Sequence, residues 1–189
     1  MFQSKTTTKH YIGIDPSINS TGVAVRSHAE GTIQKVTLTI QPSVKLDTFP
    51  RMLYTQNAVE EFLKITCQEG EVISACIEGS SYDSSGKHDE LGQNRGILKF
   101  TLYQLFRIIA LQPAPTSLKK FASDYGAATK ETMITRANRR GWTIAKGDDD
   151  AADAAHLADL AYACIHFKEG RLTRKQLEVV NTLGVKFGE

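Results

Sequence analysis

A chain of 189 residues suits one domain with a sizeable core, and its formal net charge of +2 is too small to argue by itself for nucleic acid. The polar start MFQSKTTTK lacks the apolar centre of a signal peptide, and no run approaches the ~20 apolar residues of a membrane span, so a soluble intracellular protein is expected. Cys67, Cys76 and Cys164, widely spaced among apolar neighbours, fit reduced core thiols better than a disulfide framework or a zinc site.

Residues 1–9 are expected as a flexible N-terminus. HYIGID, residues 10–15, predicts a buried strand ending at the turn PSINSTG, and VAVRS predicts a second strand. TIQKVTLTI alternates and makes a third, so the chain opens as a β-meander. Met52, Leu53, Val59, Phe62, Leu63 and Cys67 fit a helix over residues 49–67. VISACIE, residues 72–78, is apolar nearly throughout, as a central strand is. The Ser/Gly-rich GSSYDSSGKHDE predicts a mobile loop, followed by a long helix over about residues 91–109. QPAPTS interrupts that helix, with a further strand expected near residues 108–111. Helices are expected from 119–121, over 130–140, and through GDDDAADAAHLADLAYA at 147–163. This order predicts a layered α/β domain over residues 10–168 with a mixed five-stranded sheet, and a C-terminal extension at 169–189.

Chemistry concentrates in four places. Asp15 ends the first strand, where side chains reach the rim of a sheet and ligands sit in open α/β folds, although Asp before Pro is also an ordinary turn former. Glu78 repeats the situation after VISACI, and a carboxylate there is costly unless solvated, paired or bound to a cation. In the acidic run, ~100° per residue places Leu157, Leu160 and Cys164 within about 40° of Asp153, which therefore lies on the inward apolar face. Asp150 and Asp149 fall about 60° and 40° to either side of Asp153, whereas Asp148 looks outward and suits a helix cap. Helical angle thus leaves Asp149 and Asp150 nearly tied as the partner of Asp153. Residues 119–146 hold seven basic side chains (Lys119, Lys120, Lys130, Arg136, Arg139, Arg140, Lys146) against Asp124 and Glu131. Such a run is either a solvated face or a phosphate-binding one. Two strand-end carboxylates with an inward pair on a helix make an oxygen-only, anionic cavity suited to Mg²⁺ or Mn²⁺.

IGIDPSINSTG, ACIEG and DDAADAAHLADLA resemble, in order, the three acidic motifs of the RuvC family of Holliday junction resolvases. PTSLKKFASDYGAATKETM is similar to that family's basic stretch, with lysines eleven residues apart, and LGQNRGILKFTLYQL resembles its dimer-contact helix. The matches run over about residues 11–166. The resemblance implies an RNase H-like fold in which Asp15, Glu78, Asp150 and Asp153 bind two Mg²⁺, with Mn²⁺ able to substitute; the D-x-x-D spacing favours Asp150 over Asp149. Lys119 and Lys130 are then expected near the scissile phosphate, and Lys120, Arg136, Arg139 and Arg140 with them on DNA. The implied reaction is paired, symmetrical nicking of a four-way junction by a homodimer in a bacterial cell or a phage-infected host; no helicase partner is legible.

One departure bears on this, and the composition of the C-terminal extension does not decide between packing on the domain, extending a dimer contact and binding DNA. Ser17 stands where the family commonly has Gly, with Asn19 or Ser20 free to supply local hydrogen bonds. Tyr82 is the nearest candidate for the family's junction-wedging aromatic. In the dimer helix, Leu98, Leu102, Leu105 and Phe106 suit a core equally well, while Gly92 and Gly96 permit close approach of another helix. The same carboxylates suit a broader nuclease acting on flaps, three-way junctions or RNA/DNA hybrids. A non-catalytic junction binder is expected to lack an acidic position, and none is missing. GIDPSINSTG also resembles the first phosphate loop of actin-like ATPases, but those need two such domains.

Overall fold

The computed structural model describes residues 7–80 and 88–184. Four strands, β1 (Lys9–Asp15), β2 (Thr21–Ala29), β3 (Thr32–Ile40) and β4 (Glu71–Ile77), form a sheet in the order β3-β2-β1-β4. The first three are antiparallel neighbours, and β4 runs parallel to β1, so the sheet is mixed. The β2–β3 hairpin closes through Glu30 and Gly31, whose positive φ values of 41° and 82° match the twist of a two-residue connection.

Period-two alternation decides what each face touches. Ile12, Ile14, Val23, Val25, Ala75 and Ile77 point to one side, where α1 (Thr48–Thr66) and α2 (His88–Phe106) cover them with Val59, Leu63, Leu98 and Leu102. Tyr11, Ala24 and Cys76 point to the other, under α5 (Asp149–His166), α3 (Pro115–Ser123) and α4 (Lys130–Arg139). Asp15 and Glu78 share the parity of Tyr11 and Cys76, so they belong to the α5 side.

The expected fifth strand is not seen among the described residues. Its segment does run parallel beside β4: Leu111 N–H donates to Ala75 O (2.9 Å), Ile77 N–H to Leu111 O (2.9 Å) and Gly79 N–H to Pro113 O (2.8 Å). Pro113 has no N–H to continue the ladder, and Pro115 opens α3, so one isolated bridge replaces a strand. Proline at the first helical position also starts α3 four residues earlier than expected. The long helix ends at Phe106 rather than near residue 109, because Arg107 turns left-handed at φ 59°. Leu98 and Leu102 of that helix are core, whereas Gly92 and Gly96 face open space.

A short 3₁₀ turn, Phe167–Glu169, leads to α6 (Arg174–Thr182), which opens on a capping box at Thr173 and Gln176. Of the three roles left open for the extension, packing is the one seen: Val179 and Val180 are buried, Lys120 pairs with Glu178 (2.8 Å), and Gln176 donates to Phe121 O (3.1 Å). All three cysteines are free and buried, and burial pushes the Cys67 and Cys164 thiols up to about 12, which leaves them unreactive. No helix among the described residues is long and apolar enough to cross a membrane.

Candidate active site

Parallel pairing of Ile14 with Ile77, closed by a hydrogen bond from Glu78 N–H to Ile14 O (3.0 Å), sets Asp15 and Glu78 side by side at the C-terminal ends of two neighbouring strands. Glu78 is the first residue past β4, and its carboxyl comes within hydrogen-bonding reach of Asp15.

The helix reaches them because the sheet gives way to it. A methyl group on Gly13 would overlap Ala154 O and Ala158 N, and one on Gly22 would overlap Asp150 O. Helix α5 therefore lies with its backbone directly on β1 and β2, faced by Ala151, Ala154, Ala155 and Ala158, all buried. This close seating brings the first turn of α5 over Asp15. Neither glycine stood out as functional in the sequence, although a glycine inside a strand is a known sign of close backbone approach.

Three of the four acids at this end of α5 have separate partners. Asp148 is the N-cap: it accepts from Ala151 N–H (3.1 Å) and from Thr39 Oγ1 (2.8 and 3.0 Å). Asp149 forms an ion pair with Lys130. Asp150 accepts a short hydrogen bond from the Ser20 hydroxyl, a contact across 130 residues rather than a local one. Asp153 points inward, and its Oδ1 is buried without a hydrogen-bond partner. The loop after Asp15 needs no glycine at Ser17, whose φ is not positive; Ser17 N–H and O are both held by Thr21.

Burial raises all four carboxyls, and in Asp15 and Asp153 the charges of the other members add to it. Asp15 is held well above the usual carboxylate range by burial first, then by the charges of Glu78, Asp153 and Asp150. Burial, with Glu78 adding to it, lifts Asp153 to about 7. Asp150 rises through burial, opposed by the Ser20 hydrogen bond; Glu78 rises through burial, opposed by its bond to Asp15 and by Arg95 and Lys119. Buried carboxyls gathered at strand ends and raised in this way cluster at functional sites.

Among the described residues no group of three or more His, Cys, Asp or Glu side chains is arranged to hold a metal ion as it stands. The chemistry of the set nonetheless fits a hard divalent cation: the donors are oxygens only, one of them is orphaned, and positive charge relieves the repulsion that raises them.

The basic residues divide. Lys119, half-buried on α3, acts on Glu78 and Asp153. Lys130 is exposed and bridges to Asp149, close enough to feel Asp150 and Asp153 as well. Arg136 and Arg139 are exposed along α4, beside Thr129, Thr132 and Thr135 in a shallow groove of ≈ 340 Å³. Lys120 points away, to Glu178. Arg140 turns into the fold and donates to Phe121 O (3.2 Å) and Ala122 O (3.0 Å), with Asp159 at 4.0 Å. Tyr82 and residues 1–6 of the expected flexible N-terminus lie outside the described residues.

No protein-family model and no curated protein matches the sequence. Solved structures do. The fold is similar to Thermus thermophilus RuvC at a TM-score of 0.62 and 19% identity, covering 88% of this chain and 98% of that one. The structure of T. thermophilus RuvC in complex with Holliday junction substrate matches at a TM-score of 0.64 and 19% identity, over 83% and 94% of the two chains. The chain has the RNase H-like α/β fold of RuvC.

Proposed function

We propose that the protein is a metal-dependent, structure-selective endodeoxyribonuclease that resolves four-way DNA junctions by paired nicking. The observation that carries the reading is the gathering of Asp15, Glu78, Asp150 and Asp153 from two strand ends and one helix, with every carboxyl raised and Asp153 Oδ1 unpartnered. The solved complex of the similarly folded RuvC with a Holliday junction supports the choice of substrate.

Those four residues would hold Mg²⁺ or Mn²⁺, which when bound supplies water activation and stabilises the leaving oxygen of the phosphodiester. The chain's own groups do the rest. Ser20 fixes the rotamer of Asp150, and Asp148, as cap, fixes the first turn of α5. Lys119 offsets charge building on the phosphate, and Lys130, held in check by Asp149, exchanges that partner for a DNA phosphate. Arg136 and Arg139 follow the backbone of an arm, while Lys120 and Arg140 act by holding α3 in place. Two incisions on opposed strands call for a two-fold enzyme. The second copy fits the apolar face of α1 and α2, where Phe49, Leu53 and Phe100 stay exposed around a groove of ≈ 560 Å³.

A synthetic four-way junction with Mg²⁺ tests the reading. Wild type is expected to nick it and Glu78→Gln to lose at least about a thousandfold in rate while still binding the junction. Full activity in Glu78→Gln refutes the assignment. Flap, three-way and RNA/DNA hybrid substrates in the same assay separate a resolvase from a broader nuclease.

A further inference from the structure

The last rung between β1 and β4 is the bond from Glu78 N–H to Ile14 O, so the ladder joining these strands ends where the two carboxylates begin. Two consecutive residues of α2 take over from it. Asn94 Nδ2–H donates to Ser17 O (3.0 Å), in the loop that follows Asp15. Arg95 grips the other rim with all three guanidinium nitrogens: Nε–H to Glu78 O (2.8 Å), Nη1–H to Ser80 Oγ (2.8 Å) and Nη2–H to Gly79 O (3.3 Å).

Resting on the nuclease reading above, we propose that Asn94 and Arg95 are positioning residues, one turn of α2 that clamps the backbones carrying Asp15 and Glu78 and so sets the separation of the two carboxylates. Neither residue needs to touch DNA.

Two observations support this. Asn94 is buried to 1% exposure, yet its Oδ1 has no partner, one of two such atoms among the described residues; the other is Asp153 Oδ1. A buried orphan acceptor is a destabilising feature that a leucine of the same branched shape lacks, so the amide is kept for the bond it donates. Arg95 directs its donors to the backbone and a serine hydroxyl of three consecutive residues, Glu78 to Ser80, with a planar fork that lysine cannot reproduce.

The test compares Arg95→Ala, Arg95→Lys and Asn94→Leu with wild type. Mn²⁺ binding to the protein alone is read by electron paramagnetic resonance, amide exchange of residues 14–18 and 76–80 by mass spectrometry, and single-turnover nicking of the four-way junction across a Mg²⁺ series. Arg95→Ala is expected to weaken Mn²⁺ binding and nicking by about tenfold to a hundredfold, the usual cost of losing a group that orients a ligand. Exchange should quicken at residues 76–80, and junction affinity without metal should not change. Added guanidinium ion restores part of the rate to Arg95→Ala, and Arg95→Lys falls between. Asn94→Leu is expected to stay folded at the assay temperature and yet to nick more slowly. Wild-type Mn²⁺ affinity and exchange in both Arg95→Ala and Asn94→Leu overturn the clamp whatever the nuclease result. Wild-type protein that binds Mn²⁺ but leaves every junction uncut overturns the nuclease reading instead.

Discussion

At the residue scale the chemistry turns on Asp153. Its carboxyl, raised to about 7 by burial and by Glu78, is more readily charged in the unfolded chain, where a carboxyl titrates near ~3.9. The sign follows from linkage: its stabilising share is full below ~3.9 and is lost as pH rises through about 7. Metal-free Asp153→Asn is therefore expected to melt above wild type by a few degrees at pH 8 and by almost nothing at pH 4, with Mg²⁺ closing the gap at pH 8. Thermal melts at both pH values check this; an Asp153→Asn protein that melts lower at pH 8 without metal contradicts it. How the acidic run divides was partly legible, since helical angle set Asp148 outward as cap and Asp153 inward. The partners were not legible: Ser20 lies 130 residues from Asp150, and no local pattern encodes a contact of that range.

At the element scale the site depends on how closely α5 sits on the sheet. Gly22→Ala places a methyl group in the Asp150 backbone, so the helix must lift or the strand must bend. Overpacking of this kind costs about 3 kcal/mol and moves Asp150 and Asp153 away from Asp15. Chemical denaturation is expected to show that loss, and nicking to fall below detection; a Gly22→Ala protein as stable and active as wild type rules out the close seating. Most elements could be read from periodicity, because Ile12, Ile14, Val23 and Val25 alternate and Val59 and Leu63 keep helical spacing. The misses share a cause. Prolines and one left-handed residue, rather than apolar pattern, decided where α2 stopped, where α3 began and why the segment at Leu111 made one bridge instead of a strand.

At the scale of the whole molecule, the face opposite α5 bears on assembly. Phe49, Leu53, Phe100 and Tyr103 leave α1 and α2 with an apolar surface that the single chain does not cover. Phe100→Asp is expected to convert a dimer into a monomer in analytical ultracentrifugation and to reduce paired incision to uncoupled single nicks. A wild-type monomer at tens of micromolar would remove this surface from the account.

Under the proposed function, one carboxylate cluster in each copy of the chain cuts DNA at a branch point. The most direct measurement is an incision map of a mobile four-way junction, each strand labelled in turn, with Mg²⁺ and wild-type or Asp153→Asn protein. The expected map has nicks at matching positions on two opposed strands with wild type and none with Asp153→Asn, although both bind the junction. No incision by wild type at any pH or with either metal, or an unchanged map with Asp153→Asn, would contradict it.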